Sequence, residues 1–320
     1  MLFLGEIRGN MNLVLDEKKM RRGPSIGLPY VGSKKKISKK IVEIIKQNFG
    51  TNKTVYDVFG GGGAITCECL LNNLNVVYND ADPIIVNILK RVLSENREWI
   101  KTLIIDREEF FRIKEKKDKT VDDHIKLLIN SFGNNSKDYL YSKKICHAKY
   151  KLALAIIKKE NTFKGYKQTR TYKNFVKNSQ EALGFKNKEE KDKILQQLRQ
   201  VEQLPRLQQL ERLQQAEKVS QVKSFNKDYH YFSSVKNAIL YLDPPYENTK
   251  TDEYNHQVDY TEFYNWVVKM SKNNIVLLSS YEVSDPRFRC VYEFKKARST
   301  FQTGTNGKRC EKLFMVKQER

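Results

Sequence analysis

Ala238-Ile239-Leu240-Tyr241-Leu242-Asp243-Pro244-Pro245-Tyr246 is the stretch on which the reading of the fold turns. Its first five residues form an unbroken apolar run, the pattern of a strand buried on both faces. Two consecutive prolines stop that strand, because neither can donate a backbone hydrogen bond to a neighbour. A carboxylate, a rigid kink with a bare carbonyl and an aromatic ring therefore stand together at a strand's carboxyl end. Ligands of open α/β sheets bind at that edge. Two acceptors beside a stacking surface suit a flat heterocycle that carries an amino group. The chain has seven prolines and two of them sit here, so their placement is not casual.

The whole chain sets bounds on this reading. Its 320 residues can bury one large core, or a core with a smaller lobe. Hydrophobic residues make up 39% and the mean hydropathy is −0.65, as in water-soluble globular proteins. No run approaches the ~18 apolar residues of a membrane span. The first residues are interrupted by Glu6, Arg8 and Asp16 and lack the basic-then-apolar order of a signal peptide. Met11 is an alternative start, which would make residues 1–10 a dispensable extension. Five cysteines without a CxxC pair, and four scattered histidines, argue against a disulfide framework and a structural zinc site. The expected home is a reducing cytoplasm.

Charge is the strongest global signal. Lys plus Arg number 59 against 38 Asp plus Glu, a net +21. So large an excess repels itself unless an anionic partner offsets it, and nucleic acid is the partner expected. Residues 141–178 hold eleven Lys or Arg against one acid, Glu160, so a net +10 of the +21 lies there. Six aromatics (Tyr141, Tyr150, Phe163, Tyr166, Tyr172 and Phe175) are interleaved with those cations. Lys143, Lys144, Lys164, Lys167, Arg170 and Lys173 are the expected phosphate contacts, with a solubilising face as the plainer alternative.

Buried strands are expected at Val55–Phe59, Asn75–Asn79, Ile239–Leu242 and Ile275–Leu278, in a mostly parallel sheet. Helical spacing marks Ile37–Ile45 and Ile84–Leu93, and Arg289–Phe294 and Lys312–Lys317 read as later, antiparallel strands. The alternation predicts an α/β fold with helices on both faces of a Rossmann-like sheet. Residues 95–225 differ: charged, helix-prone and poor in apolar runs, they read as an inserted, mainly helical lobe. The two ends, 1–94 and 226–320, then make one domain. The insert closes on a Leu/Gln-rich connector with an apolar residue at every third position (Leu195, Leu198, Val201, Leu204, Leu207, Leu210, Leu213), interrupted by Pro205. A strict three-residue period winds around an α-helix, so a repeat-expanded connector is expected.

The second chemical element is Asp57-Val58-Phe59-Gly60-Gly61-Gly62-Gly63-Ala64, between a strand and a helix. Glycines there allow a tight turn and close approach to a bound cofactor. The sequence lacks the Gly-Lys-Ser/Thr ending of a P-loop and the spacing of GxGxxG, which excludes both. About twenty residues later the next strand ends in Asn79-Asp80-Ala81-Asp82-Pro83. An acid at that place binds ribose hydroxyls, while Asp82 is placed to cap the helix begun by Pro83. No phosphate-binding lysine follows the glycines, which favours a nucleoside cofactor without a pyrophosphate. Upstream, Tyr30-Val31-Gly32-Ser33-Lys34 opens a basic loop before a helix.

In this order the pieces resemble the Dam-type DNA adenine methyltransferases. The aromatic-x-Gly-small-Lys motif matches at Tyr30 to Lys34, the cofactor loop at Asp57 to Gly63, the acid at Asp80 and the catalytic tetrapeptide at Asp243 to Tyr246. The likeness covers about 25–93 and 225–317, and the insert occupies the place of that family's target-recognition region. Gly60 and Gly62 stand where members often carry a larger residue. What the resemblance implies is methylation of the exocyclic amino group of adenine in double-stranded DNA, with S-adenosyl-L-methionine as cofactor, no metal, and the target base flipped from the duplex. It implies Asp243, Pro244, Pro245 and Tyr246 as the catalytic residues. Around the cofactor it implies Tyr30, Gly32, Lys34 (against the cofactor's carboxylate), Asp57, Phe59, Gly61, Gly63 and Asp80, with Asp228 and Tyr229 at its adenine edge. Ser131, Phe132, Asn134 and Asn135 resemble stretches near DNA, against an ordinary Gly-Asn turn as the competing reading. Such enzymes act in the cytoplasm of a bacterial or phage-infected cell, as orphans or with a restriction endonuclease as genetic partner. RNA or a protein glutamine amide is the rival substrate, although glutamine enzymes usually show Asn where Asp243 stands. A degenerate, non-catalytic DNA-binding protein is the second rival.

Overall fold

Apolar residues on both faces of four short strands put those strands at the centre of a sheet. The computed structural model describes residues 12–30, 32–182, 196, 199–247, 258–294 and 310–317. Among them are β1 (Val55–Asp57), β2 (Val76–Asn79), β3 (Lys223–Phe225), β4 (Ile239–Leu242), β5 (Ile275–Ser280), β6 (Phe288–Glu293) and β7 (Lys312–Val316). They form one sheet in the order β3-β2-β1-β4-β5-β7-β6. β1 to β5 run parallel, and β7 is antiparallel to both β5 and β6. The expected mostly parallel α/β sheet is the one observed, while β3 was not foreseen.

Side chains alternate across the sheet. Ile239 and Tyr241 of β4, with Ile275 and Leu277 of β5, pack beneath α1 (Ser38–Phe49) and α2 (Ala64–Leu71). Leu240, Leu242, Val276 and Leu278 face the other way, against Phe263, Trp266, Val267 and Met270 of α11 (Tyr260–Ser271). Helices on both faces leave β4 and β5 entirely buried, which is why they read as continuous apolar runs.

The chain divides into two compact units, one of residues 1–27, 32–89 and 216–320, the other of 28–31 and 90–215. The first unit holds the sheet and takes in 216–225, which the sequence assigns to the insert, because β3 pairs with β2. Helix α3 (Pro83–Ser94) ends within the second unit, which also holds α4 (Arg97–Lys101), α5 (Arg107–Glu115), α6 (Val121–Asn130), α7 (Cys146–Glu160), α8 (Arg170–Ala182) and α9 (Gln203–Gln214). The short α10 (Glu217–Ser220) returns the chain to the first unit.

The three-residue period finds its account in α9. Leu204, Leu207, Leu210 and Leu213 are all buried, and so are Gln203 and Arg206. Steps of three residues shift the apolar stripe by about 60° each, so four leucines sweep half the helix circumference. Packing on more than one side absorbs that sweep. The expected interruption at Pro205 does not occur. Pro205 is exposed in the first turn, where an N–H would have no intrahelical acceptor. Leu195, Leu198 and the 1–10 extension lie outside the described residues.

Leu207→Ala is therefore expected to cost about 2–5 kcal/mol in urea unfolding. Pro205→Ala is expected to stay within about 0.5 kcal/mol. Equal costs for the two substitutions would refute the packing assigned to α9.

Candidate active site

The sheet order reverses between β1 and β4: the chain leaves β1 toward β2 and β3, then returns to place β4 on β1's other side. Carboxyl ends of strands diverge from their connections at such a switch point and leave a crevice. The Asp57–Gly63 turn follows β1 and Asp243–Tyr246 follows β4, on neighbouring strands.

At the tetrapeptide, Lys34 Nζ donates to Asp243 Oδ1 at 2.7 Å and to the Tyr246 hydroxyl at 2.5 Å. The Tyr246 hydroxyl donates onward to Glu311 Oε1 at 2.7 Å, which also receives the Ser279 hydroxyl at 2.7 Å. Lys34, Asp243 and Glu311 side chains are only 11%, 15% and 6% exposed, so two carboxylates and one ammonium share a nearly dry site. Burial raises the Asp243 carboxyl to about 6; Lys34 opposes the rise and Glu311 adds to it. Burial also pushes the Tyr246 phenol well above its ordinary value. Its ring meets Tyr281 edge-on, centroids 4.6 Å apart. Lys34, expected at a cofactor carboxylate, thus has its ammonium on the tetrapeptide.

The glycine turn is held by side chains of β1 and β2. Asp57 is buried and its Oδ2 accepts from the Thr66 amide (3.0 Å) and hydroxyl (2.6 Å), tying the start of α2 to the end of β1. Burial raises the Asp57 carboxyl to about 7, with Asp243 and Asp80 adding to the rise. Asp57 is thus a loop anchor in this geometry. Asp80 Oδ2 accepts from Gly61 N at 2.8 Å and its Oδ1 from Asp82 N at 2.9 Å, so the acid after β2 is joined to the turn after β1. Gly61 and Gly63 have φ of 47° and 71°, left-handed conformations that glycine adopts without strain. Gly60 is needed for space: a Cβ there would overlap the Tyr78 ring. Asp82 caps α3 as expected, accepting from Ile84 N at 2.8 Å.

Phe59 contacts Phe263 and Tyr229 edge-on and tilted, at 5.8 and 6.1 Å between centroids. Tyr229 is itself buried among Phe263 and Trp266, while Asp228 is exposed and accepts from His230 N at 2.9 Å. Gly32 has a φ of 73° and belongs to the first unit, whereas Tyr30 falls in the second. Asn79, which no motif singled out, clamps the strand ends by donating to the Val58 and Lys227 carbonyls at 2.8 and 2.9 Å. Thr66, Ser279 and Glu311 were likewise missed: Thr66 meets Asp57 close in sequence but no motif marks it, and Ser279 and Glu311 have partners 32 and 65 residues away.

In the second unit, Lys143, Lys144, Lys164, Lys167, Arg170 and Lys173 are all exposed. The interleaved aromatics point the other way. Tyr141, Phe163, Tyr166 and Tyr172 are buried, and Tyr166 and Tyr172 meet edge-on at 5.6 Å. Tyr141 precedes α7, Phe163 and Tyr166 lie between α7 and α8, and Tyr172 sits in the first turn of α8, so these four rings pack the connections around the helices, while Tyr150 and Phe175 are half-buried. Lys149 is the exception among the cations: it is buried, with Nζ 4.2 Å from the Tyr141 ring centre, and burial lowers its ammonium to about 8. Ser131 is buried and supports a loop whose Gly133, Asn134 and Ser136 all have positive φ. Buried Arg206 donates to the Ile129 and Ser131 carbonyls at 2.7 Å each, fixing the base of that loop. Asn134 donates to the Leu128 carbonyl at 3.3 Å and Asn135 accepts from Lys137 N at 2.9 Å. Phe132, 66% exposed, stands at its tip.

Among the described residues, no group of three or more His, Cys, Asp or Glu is arranged to hold a metal ion, and no helix is long and apolar enough to cross a membrane. A parallel sheet with a glycine turn after its first strand, an acid after its second and Asp-Pro-Pro-Tyr after its fourth defines a Rossmann-like methyltransferase. The family model of the D12 class N6 adenine-specific DNA methyltransferases matches residues 30–267. The chain belongs to that family and is an adenine-specific DNA methyltransferase. No curated protein matches it.

The Asp57 geometry makes a stability prediction. Its folded pKa lies above the ordinary 3.8, so the folded state binds the proton more tightly than the unfolded. Stability from this group therefore rises as pH falls through about 7 toward 4, and its charge weakens the fold above 7. Asp57→Asn keeps an acceptor for Thr66 without the charge, so its melting temperature at pH 8 should match or exceed the parent's. Asp57→Ala should lose about 1–3 kcal/mol. An Asn variant as unstable as the Ala variant would contradict the anchoring role.

Proposed function

We propose that the protein transfers the methyl group of S-adenosyl-L-methionine to the exocyclic amino group of an adenine at a defined site in double-stranded DNA, with the base rotated out of the duplex. The observation that carries this reading is the adjacency of the glycine turn after β1 and Asp243–Tyr246 after β4 at the switch point. The residues present suit a nucleoside-type cofactor. Gly61 and Gly63 keep side chains out of the turn, half-exposed Asp80 offers acceptors for ribose hydroxyls, and no Lys or Arg lies in the turn to receive a pyrophosphate. Phe59 and the Asn226–Tyr229 stretch flank the same strand ends. When bound, S-adenosyl-L-methionine supplies an electrophilic methyl group on a sulfonium.

The chain's own residues have to make a poor nucleophile better. An exocyclic amine is conjugated with its ring, and its lone pair becomes available when the nitrogen turns pyramidal. The Asp243 carboxylate and the Pro244 carbonyl accept its two hydrogens and favour that shape. Tyr246 stacks on the base and fixes the angle of attack. The amino group of a paired adenine is buried in the duplex, so the base must leave the stack to reach them. Asp57 serves by holding the turn, and Lys34 by neutralising Asp243. Phosphates meet the exposed cations of residues 143–173, and Phe132, Asn134 and Asn135 offer the loop that reaches the bases.

Three measurements test this reading. Asp243→Ala should abolish transfer of labelled methyl to DNA while cofactor affinity, read by calorimetry, stays near the parent's; near-normal turnover would sink the assignment. Turnover should fall on the acid side with an apparent pKa of about 6, as Asp243 takes up a proton. Replacing Lys164, Lys167, Arg170 and Lys173 by Gln should lower the slope of log affinity against log salt by about one per cation. An unchanged slope would remove their phosphate role.

A further inference from the structure

Glu311 stands immediately before β7, beyond the residues 30–267 that the family model matches, and no motif announces it. It is 5% exposed, yet it reaches the tetrapeptide. Its Oε1 receives the Tyr246 and Ser279 hydroxyls, each at 2.7 Å, and its Oε2 lies 3.8 Å from Lys34 Nζ. The Tyr246 hydroxyl accepts from Lys34 on one side and donates to Glu311 on the other. A phenol has one proton to donate, and here it faces Glu311 at 2.7 Å with the Asp243 carboxylate also in hydrogen-bonding reach, so the chain runs from ammonium to phenol to carboxylate. With both ends of the hydroxyl committed and Tyr281 edge-on at 4.6 Å, the Tyr246 ring has its plane fixed. Ser279 of β5 holds the carboxylate itself, so the chain ends on the rigid centre of the sheet.

We propose that Glu311 is a positioning residue for methyl transfer: it fixes the plane of Tyr246 on which adenine stacks, without touching the base. The inference rests on the reading of Asp243–Tyr246 as the adenine site. Charge supports the geometry. Two carboxylates around one ammonium leave a net negative cluster, which favours the positive charge that develops on the attacking nitrogen as its bond to the methyl group forms. Glu311 also raises the Asp243 carboxyl, so losing its charge lowers the pH at which Asp243 protonates.

The test is steady-state methyl transfer to DNA across pH, with cofactor affinity and melting temperature measured on the same samples. Glu311→Gln keeps an acceptor for Tyr246 and should fold; its acid limb should move to lower pH while cofactor affinity stays unchanged. Glu311→Ala removes the acceptor that fixes the phenol and lets it turn toward Asp243, and should lower kcat by about tenfold to hundredfold. In a Tyr246→Phe background, with no hydroxyl to orient, Glu311→Ala should cost less than about a third of that on the logarithmic scale. An unmoved acid limb in the Gln variant, or equal losses from Glu311→Ala with and without the Tyr246 hydroxyl, would overturn the inference. The parent reading fails separately: an active Asp243→Ala removes the adenine site itself. An inactive Asp243→Ala beside Glu311 variants with wild-type kinetics removes Glu311 alone.

Discussion

A carboxylate that is both shielded from water and ionised is hard to maintain, and the site is organised around that difficulty at Asp243. Burial alone drives the group toward its neutral form. The Lys34 ammonium at 2.7 Å opposes the drive, and the balance leaves the carboxyl near 6, ionised at neutral pH but not by a wide margin. Every neighbouring feature bears on this balance. β4 delivers Asp243 from the buried middle of the sheet, the prolines after it fix the direction of the carboxylate, and the loop before α1 delivers Lys34. Removing one member of a buried ion pair leaves the other uncompensated, so these residues stand or fall together.

The glycine turn uses the same economy of means. Asp57 ties β1 to α2, Asp80 ties β2 to the turn, and Asn79 ties the ends of β1 and β2 to the segment after β3. Three polar side chains at the ends of β1 and β2, two of them fully buried, thus tie the strand ends together by hydrogen bonds. They also keep Gly61 and Gly63 in conformations that an unsupported loop would leave.

Much of this was legible in the residues. The central strands announced themselves because burial on both faces demands continuous apolar runs, and the proline pair fixed where β4 ends. The glycine turn was legible because glycine is the residue that positive φ selects. β3 was not: Lys223, Ser224 and Phe225 form an edge strand with no buried residue, so neither apolar run nor alternation marks it. The stripe of α9 misled through its period, since Pro205 reads as a break until it is placed in a first turn. Charge among residues 141–178 was readable as a surface, but four of the six aromatics between the cations belong to the interior. Lys34 was placed with a cofactor by its motif, whereas its partners lie 209 and 212 residues away. Glu311 meets Tyr246 across 65 residues, and one acid among 38 carries no local mark of such a contact.

Strand order also has a consequence for the time course of assembly. Among the described residues β7 is the last strand in sequence, yet it lies between β5 and β6 rather than at the margin. Its pairings with β5 and β6 are comparatively short-range, Leu278 to Phe314 and Glu293 to Lys312, whereas β1 meets β4 across the whole insert at Val55 and Ile239. The acceptor of the Tyr246 hydroxyl arrives with that closing strand. A molecule with its parallel strands paired but β7 still outside would contain the glycine turn, the tetrapeptide and Lys34 without the carboxylate that receives the Tyr246 hydroxyl. Docking of β7 and completion of the hydrogen-bond chain at Tyr246 are thus one step.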